Sequence, residues 1–334
     1  MSSPKEPKTL QQAIQHFANE QACIDTVAAI RWPHGPVCPA CGGKAHYYLK
    51  TQKRWKCAEC WRQFTVKLGT IFEDSPVPLS KWLPALWMLV NCKNGISSYE
   101  LASHLGVSQK AAWFMLHRLR LALQDGSIEK AGGNGGEVEC DETFVGGKLR
   151  NMHKGRKLRI ERERSELRNR TGQAPFWGKV PVMGILDRET RTMRAKVVPN
   201  VLRATLQAEV LEQVHKGAKV YTDEAMAYGG LTAEQYAHQI VNHLEKYVNG
   251  RVHTNGLENF WSLLKRSLVG TYVAVEPFHL SRYVDEQVFR FNHRKDAAGF
   301  PLTPAERFAA ALSQVSGKRL TFAEVTGKDG EAPF

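Results

Sequence analysis

A chain of 334 residues with 43% hydrophobic residues is long enough for two or three domains with ordinary cores, which excludes a disordered protein. It has no apolar run of about eighteen residues and no basic-then-apolar leader, so neither a membrane span nor secretion is expected and the cytoplasm is the default. The formal charge of +13 and pI near 9.4 point to a polyanionic partner such as nucleic acid, although basic surfaces also serve solubility.

Residues 1–30 read as an N-terminal helical segment: a polar, Pro- and Lys-rich start, then Leu10, Ala13, Ile14, Phe17, Cys23, Val27 and Ile30 on one or two short helices. Residues 31–75 read as a zinc ribbon. Cys38-Pro39-Ala40-Cys41 and Cys57-Ala58-Glu59-Cys60 stand fifteen residues apart, flanked by strand-like alternation. Four thiolates from two knuckles close a tetrahedral site with no open position, the pattern of one structural Zn²⁺. A module this small has almost no core, so ligation is expected to supply most of its stability. Cys23, Cys92 and Cys140 read as isolated thiols without disulfides. Lys50, Lys53, Arg54, Lys56, Arg62 and Lys67, with Trp55, Trp61 and Phe64, suit either contact with a DNA backbone or a solvated basic face.

Residues 76–125 are helical, with Trp82, Leu83, Leu86, Trp87 and Val90 on one face. Ser97 to Ser108 reads as helix, Gly106 turn and new N-cap, and the helix after it carries Lys110, Arg118 and Arg120. This is the cadence of a helix-turn-helix whose second helix reads DNA through those cations; a plain helical hairpin is the alternative. Residues 126–136, with Gly132, Gly133, Gly135 and Gly136, read as a flexible linker and domain boundary.

Residues 137–315 read as the catalytic domain. The strand Val138–Val145 carries Asp141, and the basic stretch Lys148 to Arg170 follows, including Lys154, Arg156 and Lys157; it either forms a solvated face or clamps phosphates. Lys179 to Pro199 alternates as two strands around Asp187-Arg188-Glu189-Thr190, a polar hairpin turn without chemistry. Leu202 to Val214 is an amphipathic helix, and Ala218–Thr222 is a strand presenting Asp223. After thirty-four intervening residues Glu258 lies on a helix capped by Thr254 or Asn255, with Leu257, Trp261 and Leu264 at helical spacing. Lys265 follows Glu258 by seven residues, about two turns, so both project from nearly one face. A helix from about His279 to His293 is expected to bury Tyr283, Val288 and Phe291 and to expose Arg282, Arg290, Arg294 and Lys295. One more helix is expected over 301–314, and residues 316–334 read as a tail.

Two strand-borne aspartates and a helix-borne glutamate can hold two hard divalent cations, as phosphoryl transfer on nucleic acid requires. Singly, each acid has a bland alternative as a turn cap or a solvated helix face. Together, the order Asp141, Asp223, Glu258 and the phrases Asp141-Glu142-Thr143-Phe144-Val145-Gly146-Gly147-Lys148, Tyr221-Thr222-Asp223-Glu224 and Glu258-Asn259-Phe260-Trp261-Ser262-Leu263-Leu264-Lys265-Arg266 resemble the DDE-type transposases of bacterial insertion sequences. The resemblance is to the ISXO2-like subgroup that begins with a zinc ribbon, and it covers roughly residues 15 to 310. Some members carry Asn as the third acid; here Glu258 completes the triad.

The resemblance implies an α/β, RNase H-like catalytic domain, a mixed central sheet flanked by helices, preceded by the ribbon and helix-turn-helix. It implies two catalytic Mg²⁺, with Mn²⁺ an alternative, on Asp141, Asp223 and Glu258, and it favours these acids over their neighbours Glu139, Glu142 and Glu224. Lys265 and Arg266 would contact DNA, while His253 and Asn255 either position DNA or cap the helix. The implied partners are the element's terminal inverted repeats and target DNA, with a homodimer or larger assembly in a nucleoid-associated reaction. The alternatives are a non-catalytic DNA-binding regulator and a nuclease that cuts without joining.

Overall fold

The computed structural model describes residues 7–124, 129–147, 152–171, 178–223, 226–231, 235–240 and 253–328. The chain opens with helices α1 (Leu10–Phe17) and α2 (Glu20–Arg31), strands β1 (His46–Leu49), β2 (Arg54–Cys57) and β3 (Gln63–Phe64), and helices α3 (Leu79–Asn91), α4 (Ser98–Leu105) and α5 (Gln109–Ala122). Then come β4 (Glu137–Val145), α6 (Lys154–Thr171), β5 (Val180–Asp187), β6 (Met193–Val197), α7 (Arg203–Gln213), β7 (Lys219–Thr222), β8 (Ala237–Ile240), α8 (Asn255–Gly270), α9 (Leu280–Asn292), α10 (Pro304–Ser313) and α11 (Phe322–Thr326). They form two compact units, Met1–Gly126 with His293–Glu331, and Ser127–Asn292.

In the first unit α3 is buried on every side from Trp82 to Val90, which explains its nearly unbroken apolar sequence. Its N-cap, Pro78, has no side-chain acceptor to offer, and Glu20 of α2 supplies one: its two carboxylate oxygens accept from the Leu79 and Ser80 N–H groups, each at 3.3 Å. The stretch expected to end the catalytic domain packs here instead. Phe308 of α10 sits 5.4 Å from both the Phe17 and Trp87 rings, and Arg307 donates to Asn91 at 2.9 Å. A further short helix, α11, follows where no element was expected.

The ribbon is a three-stranded antiparallel sheet in which Tyr48, Trp55 and Phe64 are paired across the strands. Trp55 lies within 6.0 Å of Phe64, Tyr48 and Trp32, giving the ribbon an aromatic core that its size did not promise. Cys23 and Cys140 are buried and Cys92 half-buried, and none of the three forms a disulfide.

The second unit is mixed α/β, built on a five-stranded sheet of order β6-β5-β4-β7-β8. β4 to β6 pair antiparallel, whereas β7 runs parallel to both β4 and β8. Helices cover both faces. Val138, Cys140, Met183, Ile185 and Val220 face α7 on one side, and Val182, Leu186 and Met193 face α8 and α9 on the other. β8 is short and largely exposed, so its sequence shows little apolar alternation.

Two expectations change. Residues 129–136 are not a free linker: Ala131 is fully buried and bridges Val214, and the Gly132 N–H donates to Asp187 at 2.9 Å. Arg290 is not outside; it is 7% exposed, paired with Glu286 and donating to Gln287 at 2.9 Å and Ser267 at 3.3 Å. An uninterrupted polar helix face made it look solvated, but Glu286 on the same face supplies the counter-charge that lets both turn inward.

Candidate active site and metal centre

Period-two alternation along β4 sends Val138 and Cys140 to the α7 side, so Glu139 and Asp141 face α8. The parallel register pairs Glu139 with Tyr221. Two residues further along each strand direction stand Asp141 and Asp223, near enough for their charges to interact. Asp223 is half-buried just past the end of β7, and Glu258 is exposed in the first turn of α8.

The indole N–H of Trp261 donates to Asp141 Oδ2 at 2.9 Å, tying α8 to β4. Room for that indole comes from Gly184, directly across the ladder from Asp141: a Cβ there would stand 2.7 Å from the Trp261 ring and 2.8 Å from Met193. Gly256 works similarly at the helix start, where a Cβ would meet Leu186 at 2.3 Å. Neither glycine stood out in the sequence, because the need for each lies in a distant side chain.

Burial pushes the Asp141 carboxyl up to about 6; the Trp261 N–H opposes this, and the nearby Asp223 and Glu258 carboxylates add to it. Glu142, on the opposite face and receiving the Tyr228 hydroxyl, is pushed up to about 8 by burial and then by Asp141 and Asp223. Asp141, desolvated and repelled by Asp223 and Glu258, is more stable as an anion with a cation beside it. Carboxylate oxygen is the donor set hard divalent ions take. The set therefore fits Mg²⁺ or Mn²⁺.

Sequence reasoning missed the support behind the triad. Thr254 occupies the N-cap of α8 but makes no side-chain capping bond. Glu139 does so from the neighbouring strand, its Oε2 accepting from the Leu257 N–H at 3.0 Å. Arg188, read as part of a plain turn, donates to Glu139 at 2.7 Å and Glu137 at 3.3 Å. Asp187 does hold that turn, accepting from the Glu189 and Thr190 N–H groups at 2.9 Å each.

Of the residues expected to touch DNA, Lys265 and Arg266 are exposed on α8, as are Lys110 at the start of α5 and Lys154 on α6, with Lys157 half-buried. Arg118 and Arg120 are a correction. They are 4% and 1% exposed, and Arg118 stacks between Trp82 and Phe114 while donating to the Glu73 carbonyl. Only the first turn of α5 reaches the surface; its second half is a core helix. The side chain of Arg156, together with Lys148, Arg150 and Glu224, lies outside the described residues.

In the ribbon the Cys38, Cys41, Cys57 and Cys60 sulfurs lie within 4.8 Å of one another, with 3.6 Å between Cys38 and Cys60 and between Cys41 and Cys57. Each knuckle turns through a left-handed residue just after its second cysteine, Gly42 at φ 75° and Trp61 at φ 60°. The four sulfurs fit a structural zinc. Among the described residues no other His, Cys, Asp or Glu group is gathered so tightly, and no helix is long and apolar enough to cross a membrane.

Residues 134–292 match the ISXO2-like transposase domain and residues 18–63 the transposase zinc-ribbon domain. A protein of the transposable element ISH50 from Halobacterium salinarum is 29% identical over 261 residues, 76% of this chain and 85% of that one. A transposase-like protein of Haemophilus influenzae is 34% identical over 97 residues, 29% of this chain and 78% of its own length. With both domains matched in order, the chain belongs to the ISXO2-like transposase family.

Proposed function

We propose that the protein is an insertion-sequence transposase that binds the element's terminal repeats, cleaves a strand at the element end and joins it to target DNA. The observation that carries this reading is the convergence of Asp141 with Asp223 and Glu258, from two parallel strands and a helix, beside an exposed Lys265. The sheet order and its helices on both faces support an RNase H-like domain.

Asp141, Asp223 and Glu258 would hold two Mg²⁺, or Mn²⁺ in their place. When bound, the ions supply Lewis acidity and a nucleophile activated at neutral pH. The chain's own residues do the rest. Trp261 engages one oxygen of Asp141 and fixes the orientation of the other. Lys265 and Arg266, two turns along from Glu258, neutralise phosphate charge near the scissile bond. One site serves both steps: water attacks the phosphodiester at the element end and displaces the element's 3′ oxygen, which leaves as a hydroxyl, and that hydroxyl then attacks a target phosphate and displaces the target strand's 3′ oxygen, without a covalent enzyme intermediate.

In the first unit, α4, the Gly106 turn and α5 form a helix-turn-helix whose first-turn Lys110 reaches the major groove, and the zinc-held ribbon contributes further backbone contact. The active assembly is a homodimer or larger, because two ends must be held together, and it works on the bacterial nucleoid.

The test is incubation of the purified chain with labelled element-end DNA and a target plasmid in Mg²⁺ and in Ca²⁺, alongside Asp223→Ala and Glu258→Gln. Nicked and joined products in Mg²⁺, lost in both variants while DNA binding persists, are expected. Cleavage without joining would make the protein a nuclease, and tight binding with no cleavage under any metal would make it a regulator.

A further inference from the structure

Arg188, its side chain 13% exposed, stands just past the end of β5 and touches β4, β7 and the residues leading into α8. Toward β4 it donates to Glu139 Oε1 at 2.7 Å and Glu137 Oε2 at 3.3 Å, and its own N–H donates to the Glu137 carbonyl at 2.9 Å. Toward β7 its guanidinium lies 4.3 Å over the Tyr221 ring, two residues before Asp223. Toward α8 its Nη2 donates to the His253 carbonyl and stands 3.0 Å from His253 Nδ1, which must accept because a guanidinium only donates. Glu139 completes the circuit, capping α8 at Leu257, the residue next to Glu258.

We infer that Arg188 is a positioning residue of the active site, acting through Glu139, Tyr221 and His253 to hold the first turn of α8, and with it Glu258, in register with Asp141 and Asp223. The inference rests on the reading of those three acids as a cation site. Three features support it. A buried carboxylate at Glu139 needs a partner, and Arg188 supplies it through the 2.7 Å bond from its Nε to Glu139 Oε1. α8 has no capping bond from its own N-cap, so its start is set by Glu139 and hence by whatever orients Glu139. The flat five-donor fork serves acceptors on two elements while its face rests on a third, which the three-donor point charge of a lysine cannot reproduce. Residues that orient ligand-bearing elements from behind typically change metal affinity or activity by about 10- to 100-fold when replaced.

The experiment uses the full chain as wild type, Arg188→Lys and Glu139→Gln, the second keeping an oxygen that can accept the Leu257 N–H. Mn²⁺ binding is titrated by electron paramagnetic resonance, and Mg²⁺-dependent nicking of element-end duplex is measured in parallel. Thermal melting and duplex affinity report on fold and DNA contact. We expect both variants to melt as folded proteins and to bind duplex within about twofold of wild type. Mn²⁺ affinity and Mg²⁺-dependent nicking should each fall about tenfold or more, and Mn²⁺ should partly restore nicking because Mg²⁺ is the stricter about octahedral geometry. Folded variants with wild-type Mn²⁺ affinity and nicking would overturn the inference. So would losses that simply follow the unfolded fraction in both variants, since Arg188 would then only stabilise the fold. A wild-type chain that binds Mn²⁺ without nicking any end DNA would end the transposase reading, while the Mn²⁺ comparison still decides the role of Arg188. A wild type that does neither removes the active-site reading and Arg188 with it.

Discussion

At the scale of single residues, Asp141 shows how much of an acid's behaviour is set by what surrounds it. Its carboxyl is raised to about 6 by burial, against the Trp261 N–H that favours the anion. Trp261→Phe keeps most of the ring but removes that donor, so the carboxyl should rise further and the pH profile of cation-dependent cleavage should move to higher pH. An unshifted profile would show that the hydrogen bond is idle. Gly184→Ala drives a methyl into the Trp261 ring and should cost about 1–3 kcal/mol by overpacking, read by denaturant melts. The raised carboxyls also give stability a sign. Asp141 near 6 and Glu142 near 8 bind protons in the folded chain that the unfolded chain releases nearer their ordinary values. Without divalent cations, stability should therefore fall as pH rises from about 4 toward 8. Melts in Mg²⁺-free buffer, zinc retained, check this, and Glu142→Gln should flatten the upper half of the curve.

At the scale of elements, function depends on how each one is anchored. α8 carries Glu258 and Lys265 but borrows its cap from β4, and α3 borrows its cap from Glu20. β6, an edge strand, has its Met193 N–H and carbonyl paired at 2.8 and 2.9 Å by the Asn292 amide, which protects the edge from other strands. The ribbon combines four sulfurs with the Trp55 cluster. Cys57→Ser should abolish zinc binding, measured as metal content, and weaken DNA binding while the second unit melts as before. Survival of full zinc occupancy would remove the four-cysteine assignment. The basic run expected after the first acid strand is helical in α6, where exposed Arg159–Glu163 and Arg162–Glu166 pairs offset part of its charge. Exposed pairs of this kind are worth little, so α6 is held mostly by its high helix propensity.

At the scale of the whole molecule, the first unit is discontinuous in sequence: the described residues after α9 return to pack with the N-terminal helices. Phe308→Ala should cost about 3–5 kcal/mol, because it empties the space between Phe17 and Trp87, and the loss should appear only in the melting of the first unit. Calorimetry of the full chain distinguishes this from a loss shared by both units. The net charge of +13 acts at this scale too: affinity for end DNA should fall steeply and linearly in log salt, by an amount set by the phosphates neutralised.

What the sequence determined by itself was local or chemical. Cysteine spacing specified the zinc knuckles, alternation and helical period specified most strands and helices but not α6, β8 or α11, and the order of acids with their flanking phrases specified the family. Those signals survive in one dimension because they depend on near neighbours or on residue types few other purposes require. Tertiary structure alone decided which cations are surface and which are core. Arg118 and Arg290 sit in helical patterns no different from solvated ones, and packing against Trp82 and Phe114 for the first and Glu286 for the second draws them inside. It also decided that Arg188 is more than a turn residue. Its partners lie on three elements as far as 65 residues away in the chain, and a charge becomes a positioning device only when burial leaves those partners no water to turn to.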